Sequence, residues 1–250
     1  MDGAEALVLM AAGHAAEGRR PEAILAYREA LGKDPRCAEA WEGLAKVYAE
    51  AGRLAEGVDF ARKAVEASPS AAHPLAALGR LLLCWNRPEE AVEAYAKAAG
   101  LAPEDADVLS ALAGALRKAG RGGEAVAVLR RLVALRPSDA EAWFAIGAES
   151  LRAGQLIEAV EGFGRAVRSK PDFAGAWAAF GAACLEAGRP VEAEQALLKA
   201  AMLSPDDLRV RAGLVSAHLK SGHKEKAQAA LRYLERMDPE AAARLRPLLA

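Results

Sequence analysis

Apolar and small residues recur along this chain at helical spacing. Trp143, Ile146, Gly147 and Ser150 stand at i, i+3, i+4 and i+7, and Ala159, Phe163 and Ala166 follow on one face of a second stretch. Gly154 separates the two stretches, and similar couplets run through the rest of the chain. Each couplet predicts two short helices joined by a tight turn. Small residues at Gly79, Gly147 and Gly181 predict that the paired helices approach closely.

The couplets keep a fixed period. Prolines fall at Pro35, Pro69, Pro103, Pro137, Pro171, Pro205 and Pro239, each 34 residues after the last. Counting back from them gives seven units, 4-37, 38-71, 72-105, 106-139, 140-173, 174-207 and 208-241, with no insertion or deletion. Fifteenth in each unit stand Gly18, Gly52, Asn86, Gly120, Gly154, Gly188 and Gly222. Glycine and asparagine tolerate the left-handed conformation that ends a helix, so this position reads as a C-cap. Glu followed by a small residue comes next, as in Glu56-Gly57 and Glu124-Ala125, where a carboxylate suits the positive end of a helix dipole. Pro21, Pro88 and Pro190 sit where the start of a second helix accepts proline. The period proline then starts the next unit. Residues 242-250 begin an eighth unit, with Leu245, Leu248 and Leu249 at its fourth, seventh and eighth positions. Pro247 stops it early, and it reads as a truncated capping helix over the last hairpin.

The couplets resemble the tetratricopeptide repeat family over nearly the whole chain. Trp41, Leu44 and Tyr48 match the first-helix signature, as do Trp143-Ile146-Gly147 and Trp177-Phe180-Gly181. Ala23-Tyr27-Ala30-Pro35, Ala91-Tyr95-Ala98-Pro103 and Ala159-Phe163-Ala166-Pro171 match the second-helix half. Ala61 stands where a large residue is usual, Gly57 is expected to weaken a second helix, and Arg211 replaces the usual Trp or Leu. The resemblance implies an all-α fold: residues 1-250 as one α-solenoid, a right-handed superhelix of stacked antiparallel helix-turn-helix repeats.

Composition sharpens this picture. Hydrophobic residues make up 53% of the chain but aromatic ones only 5%, and alanine, at about a quarter, fills the gap. Alanine loses no side-chain entropy in a helix, and the shortage of β-branched and aromatic residues argues against a β-sandwich or barrel. A net charge of -1 offers no global field for nucleic acid or an anionic membrane. The start, Met1-Asp2-Gly3-Ala4-Glu5, is acidic where a secretory signal is basic, and the apolar stretch Ala6 to Met10 is too short to span a bilayer, so no membrane insertion is expected. Cys37, Cys84 and Cys184 lie far apart in no metal-binding spacing, so neither a disulfide framework nor a zinc site is expected. The compartment expected is reducing and cytoplasmic.

No catalytic motif emerges, and neither a cofactor nor a metal is expected. The glycine-rich stretch Gly120-Arg121-Gly122-Gly123 falls on a hairpin turn with no preceding strand. His14 and His218 occupy a packing position and His223 a turn, which reads them as satisfied or solvated side chains. His73 and Cys84 share a helix, but their separation puts them about 16 Å apart along it, too far to act together. Binding is the better prospect. The resemblance implies a concave groove lined by the second, fifth, sixth, ninth, twelfth and thirteenth positions of the first helices. Its sixth positions, such as Gly43, Ala77, Ala111 and Ala145, are nearly all small. The Lys and Asn clamp of chaperone-tail binders is missing from the fifth and sixth positions, and the asparagine ladder of sugar-transferase arrays is missing altogether.

Lys46, Arg80, Arg117, Lys118 and Arg152 give the central groove a positive lean, while Phe144, Ala148, Ala182 and Leu185 supply apolar contact. These nine residues form the expected site for an acidic, partly apolar peptide or helix of a protein partner. The leading reading is a non-enzymatic protein-protein interaction adaptor or scaffold. The alternatives are self-assembly into a homo-oligomer through the terminal repeats, and a regulatory or targeting subunit of an enzyme complex. The scarcity of aromatic residues in the groove argues against single-stranded nucleic acid.

Overall fold

The computed structural model describes residues 3–249, apart from the side chains of 248 and 249. The readings placed on Met1 and Asp2, and on the side chains of Leu248 and Leu249, therefore lie outside what is described. Fifteen α-helices, a closing 3₁₀ turn (Arg246–Leu249) and no strand occur among those described. By packing, the chain divides into two compact units, one ending at Val128 and the other beginning at Leu129. No described helix is long and apolar enough to cross a membrane.

The first unit holds α1 (Gly3–Ala16), α2 (Arg20–Lys33), α3 (Ala38–Glu50), α4 (Leu54–Ala67), α5 (Ala72–Cys84), α6 (Pro88–Leu101), α7 (Ala106–Lys118) and the start of α8 (Gly122–Leu135). Within it α1 pairs with α2, α3 with α4 and α5 with α6, and each second helix also packs on the first helix that follows. The second unit holds the end of α8, then α9 (Ala140–Arg152), α10 (Leu156–Ser169), α11 (Ala174–Glu186), α12 (Pro190–Leu203), α13 (Leu208–Lys220), α14 (Lys224–Met237) and α15 (Pro239–Leu245). Its pairs are α9 with α10, α11 with α12 and α13 with α14, again with each second helix on the next first helix.

Each hairpin turn is built by one left-handed residue. Six glycines and Asn86, whose φ is 59°, take positive φ at the fifteenth position of every interval. The residue after each then donates its N–H back to the eleventh, as in Arg53 to Tyr48 at 2.9 Å and His223 to His218 at 2.8 Å. This satisfies a carbonyl that the helix end leaves orphaned. The next junction has its own device. Trp41, Trp143 and Trp177 each donate the indole N–H to the carbonyl of the period proline six residues earlier, at 3.0, 2.9 and 2.9 Å. Arg211 does the same with its Nε, at 3.1 Å from the Pro205 carbonyl, and its guanidinium lies 4.6 Å from the Tyr233 ring. The apparent departure in the last interval thus keeps the bond and changes only the donor.

Helix pairing depends on where bulk is absent. A Cβ at Gly79 would stand 2.8 Å from the Tyr95 ring, one at Gly147 2.8 Å from Phe163, and one at Gly181 2.5 Å from Leu197. Where Ala61 replaces the large residue, the helices close up instead. A Cβ at Gly57 would then stand 2.9 Å from the Ala45 carbonyl oxygen. Gly57, expected to weaken α4, is thus the point at which α4 comes onto α3.

The end of the chain also differs in detail. The cap expected from 242 starts at Pro239, where Asp238 accepts the Ala241 N–H at 2.9 Å and proline opens α15. Ala242 is fully buried with Val215, Leu231 and Leu234, and Leu245 packs beside them, so α15 covers α13 and α14.

Two alanine substitutions should separate the two uses of glycine. At Gly114, in the interior of α7, a Cβ meets nothing within 4 Å, so Gly114→Ala should stabilise by up to about 1 kcal/mol through helix propensity. At Gly162 a Cβ would stand 2.7 Å from the Gly147 backbone nitrogen, so Gly162→Ala should destabilise by about 1–3 kcal/mol. Urea unfolding of the two variants checks both signs.

Candidate functional site

In the first unit, α1, α3 and α5 line a cavity of about 730 Å³. Val8 and Ala12 come from α1, Gly43 and Lys46 from α3, and Ala77 and Arg80 from α5. The helical period turns these positions to one side, and their small size keeps the floor low. Tyr27 of α2 reaches the same floor, because Gly43 leaves room for its ring: a Cβ there would stand 2.1 Å from it. A second cavity of about 530 Å³ lies between α5 and α7, lined in part by Ala76, Tyr95, Asp107 and Ala111. Ala77 and Arg80 line both.

The charges in this groove are mixed. Lys46 lies 3.9 Å from Glu50 in an exposed pair, which contributes little. Glu42 is half-buried and lies 2.9 Å from Nδ1 of His73. Arg80 is exposed and has no ion-pair partner among the described residues. Burial raises the pKa of Tyr27, and Glu50 adds to it; burial also raises that of Tyr95 against the opposing pull of Arg80. Both phenols therefore stay neutral at physiological pH and keep a hydrogen to donate.

The nine residues expected to form one site fall on both sides of the unit boundary. Lys46 and Arg80 share the larger cavity, and Arg117 and Lys118 are exposed in the last turn of α7. In the second unit, Phe144, Ala148 and Leu185 are partly buried against one core cluster, and Ala182 is exposed. The Phe144 ring lies 5.4 Å from Phe163 and 5.1 Å from Phe173, so it is engaged in packing. Arg152 donates to Glu149 at 2.6 Å, and that carboxylate is only 3% exposed. Tyr27 and Tyr95 stand on second helices, outside the first-helix positions from which the groove is expected. The signal was present in the small residue that faces each tyrosine, Gly43 and Gly79.

Two family models described as tetratricopeptide repeat match the chain, one over residues 8–72 and 144–207, the other over 86–148 and 185–250. No curated protein sequence matches it. Among solved structures, YrrB, a TPR protein with an unusual peptide-binding site, is 25% identical with a TM-score of 0.65, covering 74% of this chain and 95% of its own. PilF of Pseudomonas aeruginosa is 22% identical with a TM-score of 0.64, covering 86% and 99%. MamA of Desulfovibrio magneticus RS-1 is 20% identical with a TM-score of 0.61, covering 68% and 96%. The last two likenesses concern the fold alone.

The three thiols report on this geometry. Cys84 is exposed and lines the larger cavity, Cys37 is half-buried, and Cys184 is fully buried. Burial pushes the Cys184 thiol up to about 11, with Arg189 opposing and Glu192 adding. An aromatic disulfide reagent should therefore modify Cys84 first, Cys37 more slowly and Cys184 only on unfolding. An unfolded thiol ionises at about 8.5, so above that pH the unfolded state holds fewer protons and stability falls towards pH 11. Urea midpoints at about pH 8 and about pH 10 should show this loss, and Cys184→Ala should reduce it.

Proposed function

The chain belongs to the tetratricopeptide repeat family, and on that premise we propose that it is a non-enzymatic adaptor that takes a partner's peptide in the groove of its first unit. The family is generally one of protein interaction rather than catalysis. The observation that carries the proposal is the cavity of about 730 Å³ between α1, α3 and α5, with a small-residue floor and an unpaired Arg80. A small-residue floor lets a peptide backbone or an apolar side chain lie close to the helices. Arg80 is placed to fork onto a carboxylate of that peptide, a bond that is strong because both partners are charged. Glu39 and Glu42 line the same cavity and repel a second carboxylate beside them. The preferred peptide is therefore apolar in the middle with its acidic residue at the Arg80 end. The peptide-binding site named for YrrB, at 25% identity, supports a peptide as the occupant.

Selection of displayed random peptides on the purified chain tests this, with a fluorophore on Cys84 as the groove reporter. Selected peptides should carry one acidic residue next to an apolar run. Arg80→Glu should weaken them tenfold or more, in line with about 1.5–3 kcal/mol for a hydrogen bond to a charged group. Ala77→Arg, which fills the floor, should abolish binding. Peptides that bind the Ala77→Arg variant as tightly as the parent chain would place the site elsewhere.

A second reading is self-assembly, favoured by Leu9 and Met10, which are 63% and 47% exposed on α1. Light scattering should then show mass rising with concentration and Leu9→Glu returning the chain to monomer; a constant monomer mass removes this reading.

A further inference from the structure

Because the repeat samples the same place several times, an unusual residue can be compared with its own counterparts. The twenty-first position is aliphatic in five intervals, at Ile24, Val58, Val92, Val126 and Val160. In the sixth interval it is Glu194, buried as Val58, Val92 and Val160 are, with its side chain 9% exposed; in the seventh it is the exposed Gln228. Burying a carboxylate where a valine fits is costly unless other groups receive it. Two histidines do. His218 stands at the eleventh position of the next interval, where Tyr48, Leu82, Leu116, Ser150 and Cys184 stand elsewhere. The first interval has His14 there, also with a buried unbonded Nδ1, and His218 differs from it in facing the Glu194 carboxylate. His223 stands at the sixteenth, where five of the other intervals have arginine.

These three residues come from three places in the second unit: Glu194 from α12, His218 from α13 and His223 from the turn before α14. Both imidazoles aim Nδ1 at the carboxylate, His218 at 3.3 Å from Oε1 and His223 at 2.7 Å from Oε2. One ligand atom from each lies within 4.8 Å of the others. His218, whose side chain is 7% exposed, is expected from its sequence position to be a satisfied packing residue. Instead its Nδ1 is buried and makes no hydrogen bond. A buried imidazole nitrogen that faces a carboxylate without bonding to it leaves a coordination direction open.

We propose that Glu194, His218 and His223 form a site for a divalent transition metal of the zinc class. Two imidazole nitrogens and one carboxylate oxygen make a donor set that zinc accepts in four-coordinate sites. Tetrahedral bonds of about 2.0–2.1 Å set donors about 3.3–3.4 Å apart, which the His218–Glu194 distance already meets. His223 is half-exposed in its turn, so its ring is free to adjust to the ion, and it leaves the fourth position on the solvent side. The cation already present is Lys226, whose Nζ lies 3.2 Å from Oε1 of Glu194. Its side chain is largely exposed, so the metal displaces the ammonium into water. Once bound, the ion ties the α11–α12 hairpin to the α13–α14 hairpin.

Cobalt(II) is the probe, because its visible absorption reports a tetrahedral site directly. The full chain, stripped with a chelator, should take up one cobalt ion with an intense visible band that zinc bleaches. Zinc should also raise its melting temperature. Glu194→Gln and His223→Gln should each lose the band, while Lys226→Ala should tighten binding several-fold by removing the competing cation. Glu194→Val restores the residue type of the other intervals, so it should fold yet show no melting shift with zinc. A missing band, a band that survives both glutamine variants, or a zinc shift that persists in Glu194→Val overturns the proposal. The site and the peptide groove lie in different units and stand or fall separately.

Discussion

Two helices of a hairpin pack closely only if a large side chain on one meets a missing side chain on the other. The ring of Tyr95 fills the space that Gly79 leaves, Phe163 fills that of Gly147, and Leu197 that of Gly181. The same large residue also reaches the next hairpin. Tyr27 lies against Gly43 of α3, and a Cβ at Gly213 of α13 would stand 3.2 Å from Leu197. One position therefore joins its own pair and couples that pair to its neighbour. Deleting such a buried ring costs about 3–5 kcal/mol, far more than an exposed ion pair contributes. The exposed arginine–glutamate pairs at the turns, such as Arg121 with Glu124 at 2.7 Å, decorate this arrangement and do not create it.

The same constraint shapes the groove. First helices that keep glycine or alanine opposite a large residue also present small residues on the groove side. The floor between α1, α3 and α5 is low for this reason, and Tyr27 enters it through the space at Gly43. Alanine thus has two separate uses, close packing between helices and a shallow surface for a partner.

Helix positions were legible because they depend on local signals that recur along the chain in one register. A left-handed glycine, a period proline and an aromatic at fixed spacing each act within a few residues. Departures were harder to interpret because their compensation lies elsewhere. Arg211 looks foreign beside tryptophan until its Nε is seen on the Pro205 carbonyl. Gly57 looks weakening until Ala61 is seen to let α4 close on α3. Pro239 keeps the period, but Asp238 caps a helix that begins at that proline rather than beyond it. The electrostatic lean of the groove was the least legible feature. Long side chains choose partners by reach, so Arg152 goes to the buried Glu149 and Lys46 turns to Glu50, leaving Arg80 as the cation with no such partner in the larger cavity.

A repeated chain also carries its own controls. Where Val58, Val92 and Val160 are buried, their counterpart Glu194 must gain from nearby groups what it loses in desolvation. His223 and Lys226 satisfy the carboxylate from its exposed side, and neither accounts for the bare nitrogen of His218. In a stacked array each hairpin is held mainly by its neighbours. A bond between α12, α13 and the turn before α14 joins two such neighbours. It strengthens their contact without adding apolar bulk that would block the approach of one helix to the next.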